Sequence, residues 1–323
     1  MSKLFIIFAL CISWSAFAAQ QIKLAVLVPE GTTWGNSLKK FSKEVETATG
    51  GEVVFKVYYG GVAGDEPDVL RKVRIGQMHG GIFTGKTLGD IHGDVRAMEL
   101  PFTFYGDQKK ASKTLVNLTP EFNKGLAAKG FVNLGFYEIG QVYVVSSKKI
   151  SNLNELKGVK IWSWEGDPLV AAMLESLKLV SVPLALPDVL SSLSTGIINA
   201  AYAPPLGILA LQWQTKIKYL VDFPTAFSIG ALLVSQKAWS QIKPDQQQKI
   251  LAISQKYVKE ANDKSVVESQ QAKDQLKKSG IEFVQFPEAD YKQAASVRAE
   301  VINKLKDKYI SSKMIQALDK EAK

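Results

Sequence analysis

Residues 22–59 read IKLAVLVPEGTTWGNSLKKFSKEVETATGGEVVFKVYY, and their spacing decides the fold class. Ile22 to Val28 is a mostly apolar run that alternates at its start and meets Pro29-Glu30-Gly31, so it reads as a strand entering a loop. From Trp34 to Ala48 apolar side chains recur at Trp34, Leu38, Phe41, Val45 and Ala48, a helical spacing with lysines and glutamates opposite. Gly50-Gly51 stops this helix, and Val53 to Tyr59 alternates as a second strand that ends at Gly60-Gly61. Asp68 to Ile75 reads as a helix and Gly80 to Phe83 as a short buried strand. Strands and helices in strict alternation predict an α/β protein with a largely parallel sheet.

Further along, helices are expected at Asn123–Lys129, Pro168–Leu177 and Leu186–Thr195, the last stopped by Gly196. Strands are expected at Val132–Glu138, Tyr143–Ser146, Val159–Trp162, Val182–Leu184, Ile198–Ala203 and Ser228–Val234. Ala238 to Lys278 reads as one long helix with Pro244 in a first turn, where its fixed φ is tolerated. Gly280 ends it, Ile281–Phe286 is a last strand, and the tail is amphipathic helix. Two α/β units with more than one crossing between them, and a late long helix, predict a two-lobed binding protein with a central cleft.

The chain has 323 residues, 46% of them hydrophobic and 22% charged, which is enough for two domains and far too apolar for disorder. Residues 1–18, MSKLFIIFALCISWSAFA, have the build of an export signal: Lys3, a short apolar core from Leu4 to Trp14, and small residues at Ala16 and Ala18. That core is too short to span a bilayer, and Leu10 before Cys11 argues for ordinary cleavage rather than lipid attachment. Taking 18 residues from 323 leaves 305, with no cysteine, and loss of Lys3 takes the net charge from +9 to +8. A large exported chain with no disulfide fits a bacterial periplasm. Lobe I is expected to hold 19–142 plus about 230–272, and lobe II 143–229 plus about 273–323.

Several motifs suggest other chemistry. Gly80-Gly81-Ile82-Phe83-Thr84-Gly85-Lys86-Thr87 satisfies the phosphate-loop pattern, but an apolar strand lies where that loop needs a turn. Gly60-Gly61-Val62-Ala63-Gly64 reads as a strand-end loop. His79 and His92 stand 13 apart with no acid at ligand spacing, so no metal site is expected, and no cofactor is implied. No serine lies in a G-x-S-x-G elbow and no cysteine survives export, so no catalytic residue is assigned and an enzyme is not expected. Lysines alternate with acids along the helical segments as on a solvated face, which with export argues against nucleic acid; attraction to an anionic membrane is the better use of the charge.

Glu155-Leu156-Lys157-Gly158-Val159-Lys160-Ile161, Glu99-Leu100-Pro101-Phe102 and Gly196-Ile197-Ile198-Asn199 occur in an order and spacing that carry a family resemblance. In them the chain resembles the extracytoplasmic solute-binding subunits of tripartite ATP-independent periplasmic (TRAP) transporters, the dicarboxylate-binding family. The resemblance implies two lobes joined by crossing strands, a long helix spanning both, closure on ligand, and delivery to integral-membrane permease subunits driven by an ion gradient. In most members an arginine follows the strand equivalent to Val159-Lys160-Ile161 and grips a substrate carboxylate through two donors. Here that position is Trp162. A second arginine is common just after the glycine equivalent to Gly140, where this chain has Gln141-Val142, and a later acidic motif is replaced by Asn199-Ala200 and Tyr202.

These departures set the expected site. A carboxylate desolvated against Trp162 and Val142 would lose its water without gaining an ionic partner, at a cost of several kcal/mol. Aromatic walls instead suit an apolar or ring-bearing solute. Trp162, Trp164, Tyr202, Trp34, Phe83 and Val142 are therefore expected to line the pocket, with Gln141, Asn199 and Glu138 as polar anchors. Branches of the family that lack the arginines imply a periplasmic helical-repeat (TPR) partner. The alternatives are an organic acid anchored elsewhere, through Arg71 or Arg74, or a periplasmic sensor or scaffold that has lost transport.

Overall fold

In the computed structural model, which describes residues 19–322, the opening segment forms β1 (Gln20–Ala25), α1 (Thr33–Ala48) and β2 (Val53–Tyr58). The export signal assigned to 1–18 lies outside the described residues. The Thr32 side chain caps α1 by accepting from the Gly35 amide, and Leu38, Phe41 and Val45 form the buried stripe. Phe41 meets Phe55 of β2 edge-on at 4.9 Å, which holds helix and strand together. β1 pairs with β2 in parallel, Ile22 opposite Phe55, as the alternation predicts. Then come α2 (Glu66–Arg74), β3 (Gly80–Thr84), parallel to β1, and α3 (Gly85–Ile91). The glycines of the phosphate-loop pattern serve sheet packing: a Cβ on Gly80 would lie 2.1 Å from the Leu233 carbonyl oxygen.

Past β3 the sheet departs from the expected parallel order. α4 (Gln108–Ala128) starts far upstream of the expected Asn123, because Asp107 caps it and the helix runs through Pro120. The bond lost at Pro120 falls on the carbonyl of Val116, a residue on the exposed side where water can replace it. The two strands expected at 132–138 and 143–146 are one, β4 (Phe131–Ser146), irregular at Asn133/Gly135 and Glu138/Gly140. Gly140, with φ of 109°, lets the strand bend rather than stop.

The second unit contains β5 (Lys160–Ser163), α5 (Pro168–Ser176), β6 (Val180–Pro183), α6 (Val189–Thr195), β7 (Ala200–Ala203), α7 (Pro205–Ala210) and β8 (Tyr219–Val221). Then follow β9 (Ala226–Ser235), α8 (Gln236–Trp239), α9 (Pro244–Lys278), β10 (Glu282–Val284), α10 (Ala289–Leu305) and α11 (Ser312–Glu321). The strand order is β2-β1-β3-β9-β4-β7-β5-β6, and β3–β9, β9–β4 and β4–β7 are antiparallel. Residues 131–142 of β4 pair with β9, whereas 143–146 pair with β7 and β8, so one strand serves both halves of the sheet.

The long helix is broken once, at Ser240–Lys243, before α9 restarts on Pro244. α9 packs on α1 at one end, where Ser37 donates to the Tyr257 carbonyl at 2.8 Å, and on the second half at the other, where Leu276 joins the core around Trp162 and Trp213. α11 lies against α4, where Lys313 pairs with Glu121 at 3.1 Å. No helix among the described residues is long and apolar enough to cross a membrane.

Candidate functional site

Where the halves of the sheet meet lies a partly open cavity of about 80 Å³. From the first half it is walled by Thr84 and Gly85 after β3, by Arg96 and Glu99 of the 3-10 turn Gly93–Glu99, and by Val142, Ala226 and Ser228 of the crossing strands. From the second half come Trp164, Asp167, Tyr202, and Leu169, Val170 and Met173 of α5. Outside it runs a groove of about 340 Å³ bordered by Ser163, Gly166, Pro168, Ser181 and Pro183; Trp164 and Asp167 belong to both walls.

The polar side of this wall is an ion-paired triad. Arg96 is only 2% exposed, and its Nε lies 2.7 Å from Glu99. Its two terminal nitrogens donate to both oxygens of Asp167 at 3.1–3.3 Å, a bidentate contact between groups 71 residues apart. Asp167 also caps α5, accepting from the amides of Leu169 at 3.0 Å and Val170 at 3.2 Å. Glu99 accepts from the Ser228 hydroxyl at 2.9 Å and the Ile229 amide at 3.2 Å. Burial alone would lower the Arg96 pKa, but the facing carboxylates of Asp167 and Glu99 raise it, so the guanidinium stays charged.

Behind Thr84 a third carboxyl, Glu66, accepts from the Thr84 amide at 2.7 Å and its hydroxyl at 2.8 Å. Burial outweighs those bonds and pushes its pKa up to about 8, so it is mostly neutral at pH 7. Besides the Arg96 Nε, which lies at ion-pair distance from Glu99 without a well-aligned hydrogen bond, two polar atoms of the cavity wall have no partner. The Trp164 indole N–H is buried with no hydrogen-bond partner. The buried Tyr202 hydroxyl is set against the Trp164 backbone without a well-formed bond to it, and burial raises its pKa. A solute here would meet the rings of Trp164 and Tyr202, a run of apolar side chains, the hydroxyl-bearing Thr84, Tyr202, Thr225 and Ser228, and the ion-paired triad.

Of the residues expected to line a pocket, Val142, Trp164 and Tyr202 are brought together in this wall. Trp162 lies one layer behind: it is 3% exposed, stacks on Tyr202 at 4.9 Å, meets Trp164 and Trp213 edge-on, and donates to the Leu184 carbonyl at 2.9 Å. Regular alternation would put Trp164 on the face of Trp162, but β5 ends at Ser163 and the chain turns. Phe83 is wholly buried against Phe131, and Trp34 packs on Tyr137 at 5.5 Å. Glu138 points to α4, where Gln108 donates to it at 2.8 Å and Ser112 also bonds to it.

Gln141 alternates away from Val142 along β4, and its amide nitrogen is buried without a partner. Asn199 lies at the far end of β7, where its carbonyl accepts from the Ser147 amide. Neither alternative anchor reaches the cavity: Arg71 is exposed and paired with Asp68 at 3.1 Å, and Arg74 is exposed on α2. Sequence reasoning missed Arg96, Glu99 and Asp167. Asp167-Pro168 is a readable helix start and Glu99 stands in a quoted landmark, but nothing local pairs either with Arg96. Among the described residues, no group of three or more His, Cys, Asp or Glu could hold a metal ion.

Three similarities to known proteins bear on this arrangement. A solute-binding protein of Chromohalobacter salexigens is 27% identical over 168 residues, 52% of this chain and 50% of that protein. The 2,3-diketo-L-gulonate-binding periplasmic protein YiaO of Escherichia coli is 22% identical, over 87% of this chain and 86% of its own. A TRAP periplasmic solute-binding protein of Haemophilus influenzae, solved with bound L-gulonate, superposes with a TM-score of 0.85 at 20% identity, covering 94% of this chain and 99% of that one. The model of the DctP family, bacterial extracellular solute-binding protein family 7, matches residues 24–308, and the chain belongs to that family.

Proposed function

We propose that this periplasmic solute-binding protein delivers an uncharged, predominantly apolar or ring-bearing small molecule to the integral-membrane subunits of a TRAP-type transporter. The observation that carries the reading is the state of Arg96. It is the only arginine or lysine in the described wall of the cavity, and it is already held by two carboxylates. A solute carboxylate would enter a site in which negative charge already exceeds positive, whereas Trp164, Tyr202, Val142 and Met173 offer it apolar cover. Contact with both halves of the molecule favours the closed form, since only there does one solute touch Val142 and Trp164 together. With this reading go lobes of 19–142 plus about 230–272 and 143–229 plus about 273–323. A helical-repeat partner rests on the resemblance alone.

The second reading is an organic acid. It is favoured by what the names of relatives state: L-gulonate and 2,3-diketo-L-gulonate are acids. For it to hold here, Arg96 must release Asp167. Native mass spectrometry of the purified protein, followed by solvent extraction, separates the two. A neutral or hydrophobic co-purified compound is expected; a stoichiometric sugar acid or dicarboxylate overturns the proposal.

A further inference from the structure

We propose that Asp167 is the specificity-determining residue of this site: it occupies on Arg96 the place a solute carboxylate would take, and so turns acids away. The inference rests on the neutral-solute reading and names the device behind it. Asp167 presents two oxygens to two guanidinium nitrogens at 3.1–3.3 Å, the planar fork geometry with which an arginine holds any carboxylate. Both groups are buried, and both form part of the cavity wall. They come from opposite halves of the molecule, Arg96 beside the first-half strands and Asp167 at the start of α5. The contact therefore spans the same junction as a bound solute.

Asp167 is also fixed. Two amides of α5 hold the oxygen that faces Arg96 Nη1, so the carboxylate cannot swing aside without uncapping a nine-residue helix. A tethered carboxylate acts at a high effective concentration, which a free acid must exceed to displace it. Charge works in the same direction: one guanidinium faces Glu99 and Asp167, and an incoming anion would be the third carboxylate on it. Without Asp167, Arg96 and Glu99 form a neutral pair, and an anion would restore the present balance.

Asp167→Ser tests this, since serine caps a helix about as well as aspartate while vacating the space before Arg96. The probe is sodium acetate, against sodium chloride at equal ionic strength, read by thermal unfolding and by titration calorimetry. Acetate is expected to raise the Tm of Asp167→Ser above its chloride value and to bind it at least ten-fold more tightly than wild type. Adding Arg96→Met is expected to abolish the gain. A folded Asp167→Ser that ignores acetate, or a wild type that responds equally, overturns the assignment. Asp167→Asn, which keeps the cap and volume, is the second variant: an acetate response above wild type supports the assignment, and indifference overturns it even where the serine variant fails to fold. Failure of the neutral-solute reading shows separately, as an acid recovered from wild type.

Discussion

Replacing Trp162 by arginine, the residue that the family resemblance implies for this position, should unfold the protein rather than create an acid-binding site. Trp162 is 3% exposed and touches three aromatic rings: Tyr202 at 4.9 Å, Trp164 at 5.3 Å and Trp213 at 5.7 Å. Losing its buried surface removes about 3–5 kcal/mol, the range for truncating a core aromatic. The lost bond to the Leu184 carbonyl strands a buried acceptor and costs about 1–3 kcal/mol. A guanidinium among these rings, which offer no carboxylate, adds several kcal/mol more. The sum rivals the whole stability of an ordinary domain, about 5–15 kcal/mol. Urea unfolding followed by far-ultraviolet circular dichroism reads the outcome: loss of the cooperative transition, or a midpoint close to zero denaturant. A variant that stays folded within about 1 kcal/mol of wild type would refute the reasoning, because an arginine there would then be hydrated in an open cleft. Trp164→Ala supplies the contrast, a milder loss of about 1–2 kcal/mol for a half-buried cavity residue.

Arg96→Met should cost about 3–5 kcal/mol in chemical unfolding, because it leaves Glu99 and Asp167 buried without their cation; a neutral effect would show that the carboxylates are satisfied by their amide and hydroxyl donors alone. Gly80→Ala should give no soluble folded protein, since its Cβ would sit 2.1 Å from the Leu233 carbonyl oxygen and push β3 off β9; a native circular dichroism spectrum and unchanged Tm would contradict this. Glu66 predicts a pH dependence. Between its ordinary value of 4.5 and its folded value of about 8, the folded protein keeps a proton that the unfolded chain has lost. Stability should therefore fall as pH rises through that window, by up to about 1.4 kcal/mol per unit, and level off above it. Comparing urea unfolding of wild type and Glu66→Gln at pH 5.5 and 7.5 checks this, and equal slopes would refute it.

What the sequence discloses is local, and its gaps have physical causes. The β1–α1–β2 unit could be read residue by residue because burial of Leu38, Phe41 and Val45 and the alternation of β2 each follow from nearest neighbours in the chain. β4 could not. Gly140 falls in the gap between the strands expected at 132–138 and 143–146, yet it marks an irregularity, as Gly135 does within the first of them, and pairing with β9, some ninety residues later in the chain, keeps the strand going. The same limit governs the site. Trp164 rather than Trp162 reaches the cavity because the alternation stops at Ser163, one residue before it would have misplaced the ring. The departures at Trp162 and Val142 direct attention to the strands, but the one cation in the described cavity wall comes from elsewhere. Arg96 lies at the junction, charged and buried, and the fold provides its carboxylate from α5. Whether a solute acid finds a partner therefore depends on a contact 71 residues long in sequence, which no motif at either end records. An arginine in a binding protein's cleft is thus evidence for an acidic ligand only when its donors are free, and Arg96 already faces two carboxylates of the protein itself.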